Sequence, residues 1–305
     1  MKKKIFITGG TGTLGINLIK KLSNTDHKLF VIYRDKKKLL PFKDLKKKIS
    51  FIKLNLSNKV LLNKTINKIN PHIVFHLASS YFNPPDLDLE DHLEANFYNT
   101  FNLVNALKKT QIEKFIFSGS AAVYENGKNL SEKSKYSFVN NYGFSKLLCS
   151  KLLTTYKNLY NFPYIELRFF SFYGDWEKST RLVKSAITSA LKKKIFYLLS
   201  ENQIRDYIYI EDAVNALISV SKKKNIFGVF NICSAKKQST HKLVKIIYKK
   251  LNLKKEMVKT KYNLKTNIIK EMVGNNLKAK KILKWQPIFS IDDGLNQAIR
   301  SIKNH

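Results

Sequence analysis

Tyr142 and Lys146 stand four residues apart in Tyr142-Gly143-Phe144-Ser145-Lys146. On a helix that spacing puts both side chains on one face. A free phenol titrates near pH ~10. A neighbouring ammonium favours its phenolate form, and a phenol so placed can exchange a proton with a hydroxyl at neutral pH. Upstream lies Ser118-Gly119-Ser120-Ala121-Ala122-Val123-Tyr124, after an apolar run. Ser120 can hold the same substrate oxygen by a hydrogen bond. Alone, a Y-x-x-x-K pair usually marks a solvated helix face; a serine one βα unit upstream gives it chemical meaning.

A second constellation opens the chain. Thr8-Gly9-Gly10-Thr11-Gly12-Thr13-Leu14-Gly15 lies between an apolar run and a helical pattern. Gly9, Gly12 and Gly15 permit a tight turn, close backbone approach to a pyrophosphate and close helix–sheet packing. The helix N-terminus that follows, with Thr11, Thr13 and Leu14 around it, presents free N–H groups to phosphate charge. A dinucleotide is therefore the expected cofactor. The second strand ends at Tyr33-Arg34-Asp35, where NAD enzymes place an acid on the adenosine ribose. Arg34 can instead pair with a 2′-phosphate, so NADP is expected. NAD is the alternative if Asp35 turns inward.

The elements that must position these residues follow from periodicity. Strands are predicted at 4–8, 28–33, 50–54, 72–77, 114–118 and 163–169, alternating with helices at 13–23, 59–69, 90–109 and 141–160. Such alternation implies a Rossmann-like, doubly wound parallel sheet of the α/β class. Beyond residue 170, helices at 180–193, 211–222, 240–251, 276–283 and 292–303 dominate, with short strands at 207–210 and 228–232. The expected division is a nucleotide-binding domain over 1–168 and a smaller, mostly helical substrate lobe over 169–305. Segments such as 203–233 are free to return to the first domain.

With these motifs in place the chain resembles the NAD-dependent epimerase/dehydratase family, the extended short-chain dehydrogenases, over nearly its whole length. The resemblance rests on the glycine motif, Asn55-Leu56, His76-Leu77-Ala78-Ser79, Asn96 with Thr100, the Ser118–Tyr124 run and the Y-x-x-x-K pair. Later matches are Leu167-Arg168 through Tyr173-Gly174, Arg205-Asp206-Tyr207 through Asp212, and Leu277 through Pro287. It implies catalysis by Ser120, Tyr142 and Lys146, with Lys146 also holding the nicotinamide ribose. It implies cofactor contacts from Asn55, Leu56, Leu77, Ala78, Ser79 and Asn96. Substrate contacts are implied for Ser120, Ala121, Ser171 and Arg205, the last gripping a diphosphate. His76 reads more readily as a satisfied strand-end histidine, and Arg168 is open between structural and binding roles.

The implied substrate is a nucleotide-diphosphate sugar, and the implied enzyme moves hydride at a sugar carbon, C4 above all. Ala121 and Ala122 stand where 4,6-dehydratases carry an Asp-Glu pair, which argues against that reaction. Between a 4-epimerase and an NADPH-dependent 4-keto reductase, Tyr33-Arg34 tilts the expectation toward the reductase. Departures from the family pattern bear on substrate details. Gly119 replaces a common Ser or Thr, Ser171 a common Asn and Cys233 a Gly. Lys265, Asn267 and Glu271 stand in a region where relatives carry a second arginine.

Composition sets the outer bounds. The chain has 305 residues, 44% of them hydrophobic, and a formal net charge of +34. Charge of this size admits nucleic acid as a partner. Yet the 51 lysines come as doublets and triplets along the whole chain, against five arginines, which reads as solvated charge; nucleic acid is not expected. A sensor that kept the fold and lost catalysis is disfavoured by the intact catalytic set. Two cysteines without a C-x-x-C spacing fit a reducing compartment and no metal site. No signal-peptide core or ~20-residue apolar span is found, so a cytoplasmic location without membrane contact is expected. By the same resemblance, a homodimer would form through helices 90–109 and 141–160.

Overall fold

The computed structural model describes residues 2–45, 49–80, 88–137, 140–198, 200, 203–260 and 269–304. From the N-terminus the elements are β1 (Lys4–Thr8), α1 (Thr13–Leu22), β2 (Lys28–Tyr33), β3 (Ile49–Lys53), α2 (Lys59–Ile69) and β4 (Ile73–His76). Next come α3 (Leu89–His92), a π-helical turn (Leu93–Tyr98) and α4 (Asn99–Leu107). They are followed by β5 (Lys114–Ser120), β6 (Gly127–Leu130), α5 (Asn141–Tyr160) and β7 (Tyr164–Phe169). The remainder comprises β8 (Ser171–Tyr173), α6 (Leu182–Leu191), β9 (Phe196–Leu198), β10 (Ile204–Arg205), β11 (Tyr207–Tyr209) and α7 (Ile210–Lys222). The chain finishes with β12 (Gly228–Ile232), β13 (Gln238–Ser239), α8 (Thr240–Lys250), β14 (Val258–Thr260), β15 (Glu271–Gly274) and α9 (Ile291–Lys303).

Seven parallel strands form one sheet in the order β12-β7-β5-β4-β1-β2-β3. This is the doubly wound arrangement that the alternation of elements predicts. The order reverses beside β1, and ligands of such sheets sit outside the strand ends at that reversal. Successive side chains on a strand face opposite ways. Ile5 and Ile7 therefore join a core with Val31, Phe75, Ile116 and Leu167 on one face. Phe6 joins Ile32, Val74, Phe115 and Tyr164 on the other, covered by Leu103 of α4 and Leu153 of α5. Strands buried on both faces need near-continuous apolar runs, which is why KIFIT and KLFVIY were legible as strands.

The rest of the chain is built differently. A four-stranded sheet of order β13-β10-β15-β6 and two-stranded pairs β11-β8 and β14-β9 lie among α6, α8 and α9. Strand β12 returns to pair with β7. Many of these strands are two or three residues long, too short to show a period, and exist through their tertiary partners. The helix expected at 90–109 contains the π-helical turn at Leu93–Tyr98. The stretch Lys36–Leu45, left unassigned by periodicity, is a 3-10 helix. At the C-terminal end, Lys284 sits at φ +52 where the chain leaves its last π-helical turn. Asp212 then pins that segment. Its carboxylate accepts the Ile288 and Phe289 N–H groups, and its carbonyl accepts Trp285 Nε1–H.

Candidate active site

The glycine turn is built as a cradle. Gly9 has φ +69, and a Cβ on it would lie 2.4 Å from the Ala78 nitrogen. One on Gly15 would lie 2.3 Å from the Gly9 carbonyl oxygen. Gly12 closes the turn by donating its N–H to Gly9 O at 3.0 Å. Side chains are thereby excluded, and the first N–H groups of α1, on Thr13, Leu14 and Gly15, have no intrahelical acceptor. A cradle that any Cβ would fill, facing a helix N-terminus, fits a dinucleotide pyrophosphate. Thr11 sits half-buried in the turn. The Thr13 side chain is spent elsewhere: its hydroxyl donates to Trp176 O at 3.1 Å. Asn17 Nδ2 bonds both Thr13 O and Asp175 O, so the turn is tied to the 175–176 segment.

The other residues expected to hold cofactor follow the C-terminal ends of β4, β3 and β2. Leu77 and Ala78 are half-buried and Ser79 is exposed after β4. Asn55 is exposed, accepting the Ser57 N–H, and Leu56 is buried. At the end of β2, Arg34 is exposed. The Asp35 carboxylate accepts the Lys37 N–H at 2.9 Å. It caps the following 3-10 helix rather than turning inward.

The three residues expected to be catalytic sit on two elements joined by one tight contact. Helix α5 starts with Asn140 as its cap, the side chain accepting from Gly143 N–H at 2.8 Å. A Cβ on Gly143 would lie 2.4 Å from Ala122 O. Only glycine lets the helix start seat directly on the Ala121–Val123 turn after β5. Ser120 caps that turn, its Oγ accepting from Ala122 N–H at 3.1 Å. Tyr142 and Ser120 therefore flank the same contact. One turn on, Lys146 is 2% exposed. Its Nζ donates to Ser118 O at 2.8 Å, lies 4.7 Å from the Phe117 ring centre and 6.0 Å from that of Tyr142.

Beneath the site runs a polar brace. Asn96 is buried, and its amide is fully engaged. Oδ1 accepts from Ser79 Oγ and Ser80 N, and Nδ2 donates to Ser80 Oγ and Ser145 Oγ. Ser145 Oγ in turn donates to Tyr142 O at 2.8 Å. Asn96, expected at the cofactor, thus links the end of β4 to α5 from below. His76 is buried with both ring nitrogens bonded, Nδ1 to Thr8 Oγ1 at 2.7 Å and Nε2 to Thr100 Oγ1 at 2.9 Å. Thr100 gives its proton to Asn96 O, so it accepts from Nε2–H. Burial, with Lys146 adding to it, pushes this imidazole down to about 3.

Arg168 is structural. Its guanidinium bonds Glu166 Oε1, Tyr124 OH, Tyr136 OH and Ser150 Oγ, and lies 5.1 Å from each tyrosine ring centre. The Gly119 departure has its reason here: a Cβ at 119 would lie 2.6 Å from Glu166 Oε1. Of the residues expected to contact substrate, Ala121 is buried and Ser171 half-buried at the start of β8. Arg205 is half-buried on β10, and among the described residues its guanidinium bonds Ile204 O. Of the residues noted at 265–271, Lys265 and Asn267 lie outside the described residues, while Glu271 pairs with Lys237 at 2.9 Å. No sequence pattern singled out His92, Ser80 or Glu166. His92 lies four residues before Asn96, a same-face spacing that is a usable signal only once Asn96 is known to matter.

Among the described residues no cluster of three metal-ligating side chains occurs, and no helix is long and apolar enough to cross a membrane. The glycine cradle and the Ser–Tyr–Lys set on one parallel sheet define a dinucleotide-dependent oxidoreductase of the short-chain type. The chain belongs to the NAD dependent epimerase/dehydratase family, whose model matches residues 5–233. Its function is of that nucleotide-sugar-modifying type. A Bacillus subtilis protein named uncharacterized UDP-glucose epimerase YtcB is 27% identical, with 97% of this chain and 96% of the relative covered. A putative UDP-glucose 4-epimerase of Methanocaldococcus jannaschii is 24% identical, with 99% of each chain covered. The fold is shared with the UDP-glucuronic acid 4-epimerase of Bacillus cereus, solved with UDP-glucuronic acid and NAD. There the TM-score is 0.91 and the identity 24%, over 99% of each chain.

Proposed function

We propose that the protein is a nucleotide-sugar 4-epimerase that retains NAD through its cycle. This departs from the reductase preferred on sequence grounds, because relatives and structural neighbours are named as epimerases. The observation that supports the reading is the seating of Gly143 on Ala122 O, which joins the helix start carrying Tyr142 to the turn capped by Ser120; in this reading both side chains meet one sugar oxygen. Tyr142 removes the C4 hydroxyl proton and later returns it. Ser120 donates a hydrogen bond to that oxygen throughout. Lys146 holds its charge beneath the ring. When bound, NAD supplies a reversible hydride acceptor. Ala121 and Ala122 offer no acid or base toward the neighbouring carbon, so water elimination has no agent. Arg205, which among the described residues bonds only the Ile204 carbonyl, is suited to the substrate diphosphate.

A second reading, a 4-keto reductase using NADPH, is favoured by one feature: Arg34 is exposed and Asp35 is committed to its cap. Incubating the protein with UDP-glucose, UDP-glucuronic acid and 4-keto nucleotide sugars separates the two. An epimerase interconverts C4 isomers without added reductant; a reductase consumes NADPH stoichiometrically. In either case Tyr142→Phe is expected to lower turnover by at least about 10²-fold, the scale of a lost general acid–base, while cofactor binding persists. Wild-type turnover in that variant overturns the catalytic assignment.

A further inference from the structure

Tyr142 is the second residue of α5, in a first turn whose N–H groups have no intrahelical acceptors. Its ring packs against neighbours that orient it. Two of them are identified: the Lys146 ammonium, 6.0 Å from the ring centre, and the imidazole of His92, packed edge-on at 5.9 Å with an interplanar angle of 60°. His92 is fully buried at the end of α3, and its Nδ1 is 2.6 Å from Ser80 Oγ. The same serine hydroxyl accepts from Asn96 Nδ2, and its N–H donates to Asn96 Oδ1. Asn96 continues to Ser145 Oγ, which donates to the Tyr142 carbonyl. The contacts form a closed circuit: Tyr142 ring, His92, Ser80, Asn96, Ser145, Tyr142 backbone. The hydrogen bond to Ser80 also fixes the rotation of the imidazole, and with it the face the tyrosine ring meets.

We propose that His92 is a positioning residue for the reaction, holding the Tyr142 ring in the orientation from which its hydroxyl exchanges the substrate proton. The inference rests on the reading of Tyr142 as the acid–base residue. A displacement of about 1 Å at a reacting group costs on the order of 10²-fold in rate. In the full-length protein assayed with UDP-glucose and UDP-glucuronic acid, His92→Ala is therefore expected to lower kcat about 10- to 100-fold. KM and NAD affinity should stay close to wild type, and the pH profile of kcat should change shape. His92→Phe, which keeps an aromatic edge, should recover most of the loss. An independent readout needs no substrate. In protein carrying ring-labelled tyrosine, the Tyr142 resonance is assigned by its loss in Tyr142→Phe. It should shift in His92→Ala and return toward its wild-type position in His92→Phe.

Wild-type kcat and pH profile in a folded His92→Ala variant overturn the proposal, as does an unmoved Tyr142 resonance. Equal losses in the Ala and Phe variants overturn it too, since the aromatic edge would then be irrelevant. Failure of the parent reading looks different: Tyr142→Phe itself would turn over normally.

Discussion

Two arginines from matching sequence motifs end in contrasting surroundings. Arg168, on β7 of the large sheet, is buried; burial alone would lower its pKa, but Glu166 and Tyr124 outweigh that and hold it above its ordinary value. Arg205, on β10 of the small sheet, is lowered by burial, with Tyr207 alone opposing. One guanidinium has its partners within the fold; the other, among the described residues, is partly desolvated and bonds a backbone carbonyl rather than a carboxylate. A buried charge lacking a counter-charge is costly unless a ligand supplies one. The difference separates a residue that holds the large sheet and its helices together from one proposed to meet an anion.

The sharpest way to break this contrast is Arg168→Met. Leaving Glu166 buried and unpaired should cost about 3–5 kcal/mol of unfolding free energy, read by urea denaturation. Pairing it with Glu166→Leu should recover much of that loss. Arg205→Ala should do the reverse. Unfolding free energy stays near wild type, while KM for the nucleotide sugar rises about 10- to 100-fold, the range of one charge-assisted hydrogen bond. A large stability loss in that variant would make Arg205 a second Arg168.

His76 tests whether the large-sheet side is sealed against protons as its hydrogen bonds imply. Its folded pKa is lowered from 6.5 to about 3, so between those values the unfolded chain binds a proton that the folded one refuses. Stability is then fully present above pH 6.5 and declines as pH falls toward about 3. The slope from this group approaches about 1.4 kcal/mol per pH unit. His76→Gln should flatten that part of the pH–stability curve. The smallest effect lies in the C-terminal segment. Lys284 is exposed at φ +52, a conformation glycine adopts without a Cβ clash. Lys284→Gly should add about 0.5–1 kcal/mol, net of the greater freedom of glycine in the unfolded chain.

The large sheet was readable because its strands are buried on both faces and its helices are long. The predicted helix at 141–160 matches α5. The glycine turn and the Tyr142–Lys146 spacing are local patterns, so chemistry could be attached to them directly. Strands such as β10 and β13, two residues each, carry no pattern of their own and depend on distant segments. Asp35 was ambiguous in sequence because a carboxylate can bind a ribose or cap a helix, and only the following backbone decides between them. His92 stayed hidden because its importance lies in contacts to Ser80 and Tyr142, 12 and 50 positions away.

The missing side chain at Gly119 leaves the space that the Glu166 carboxylate fills on the neighbouring strand. The two positions are thus interlocked across 47 residues, and history or a protein engineer can alter them only as a unit. A chimera that imports β5 from a relative with serine at this place, while keeping the native β7, would collide with itself beside the active site. Joining segments on either side of the pair, so that both strands travel from one parent, avoids the collision.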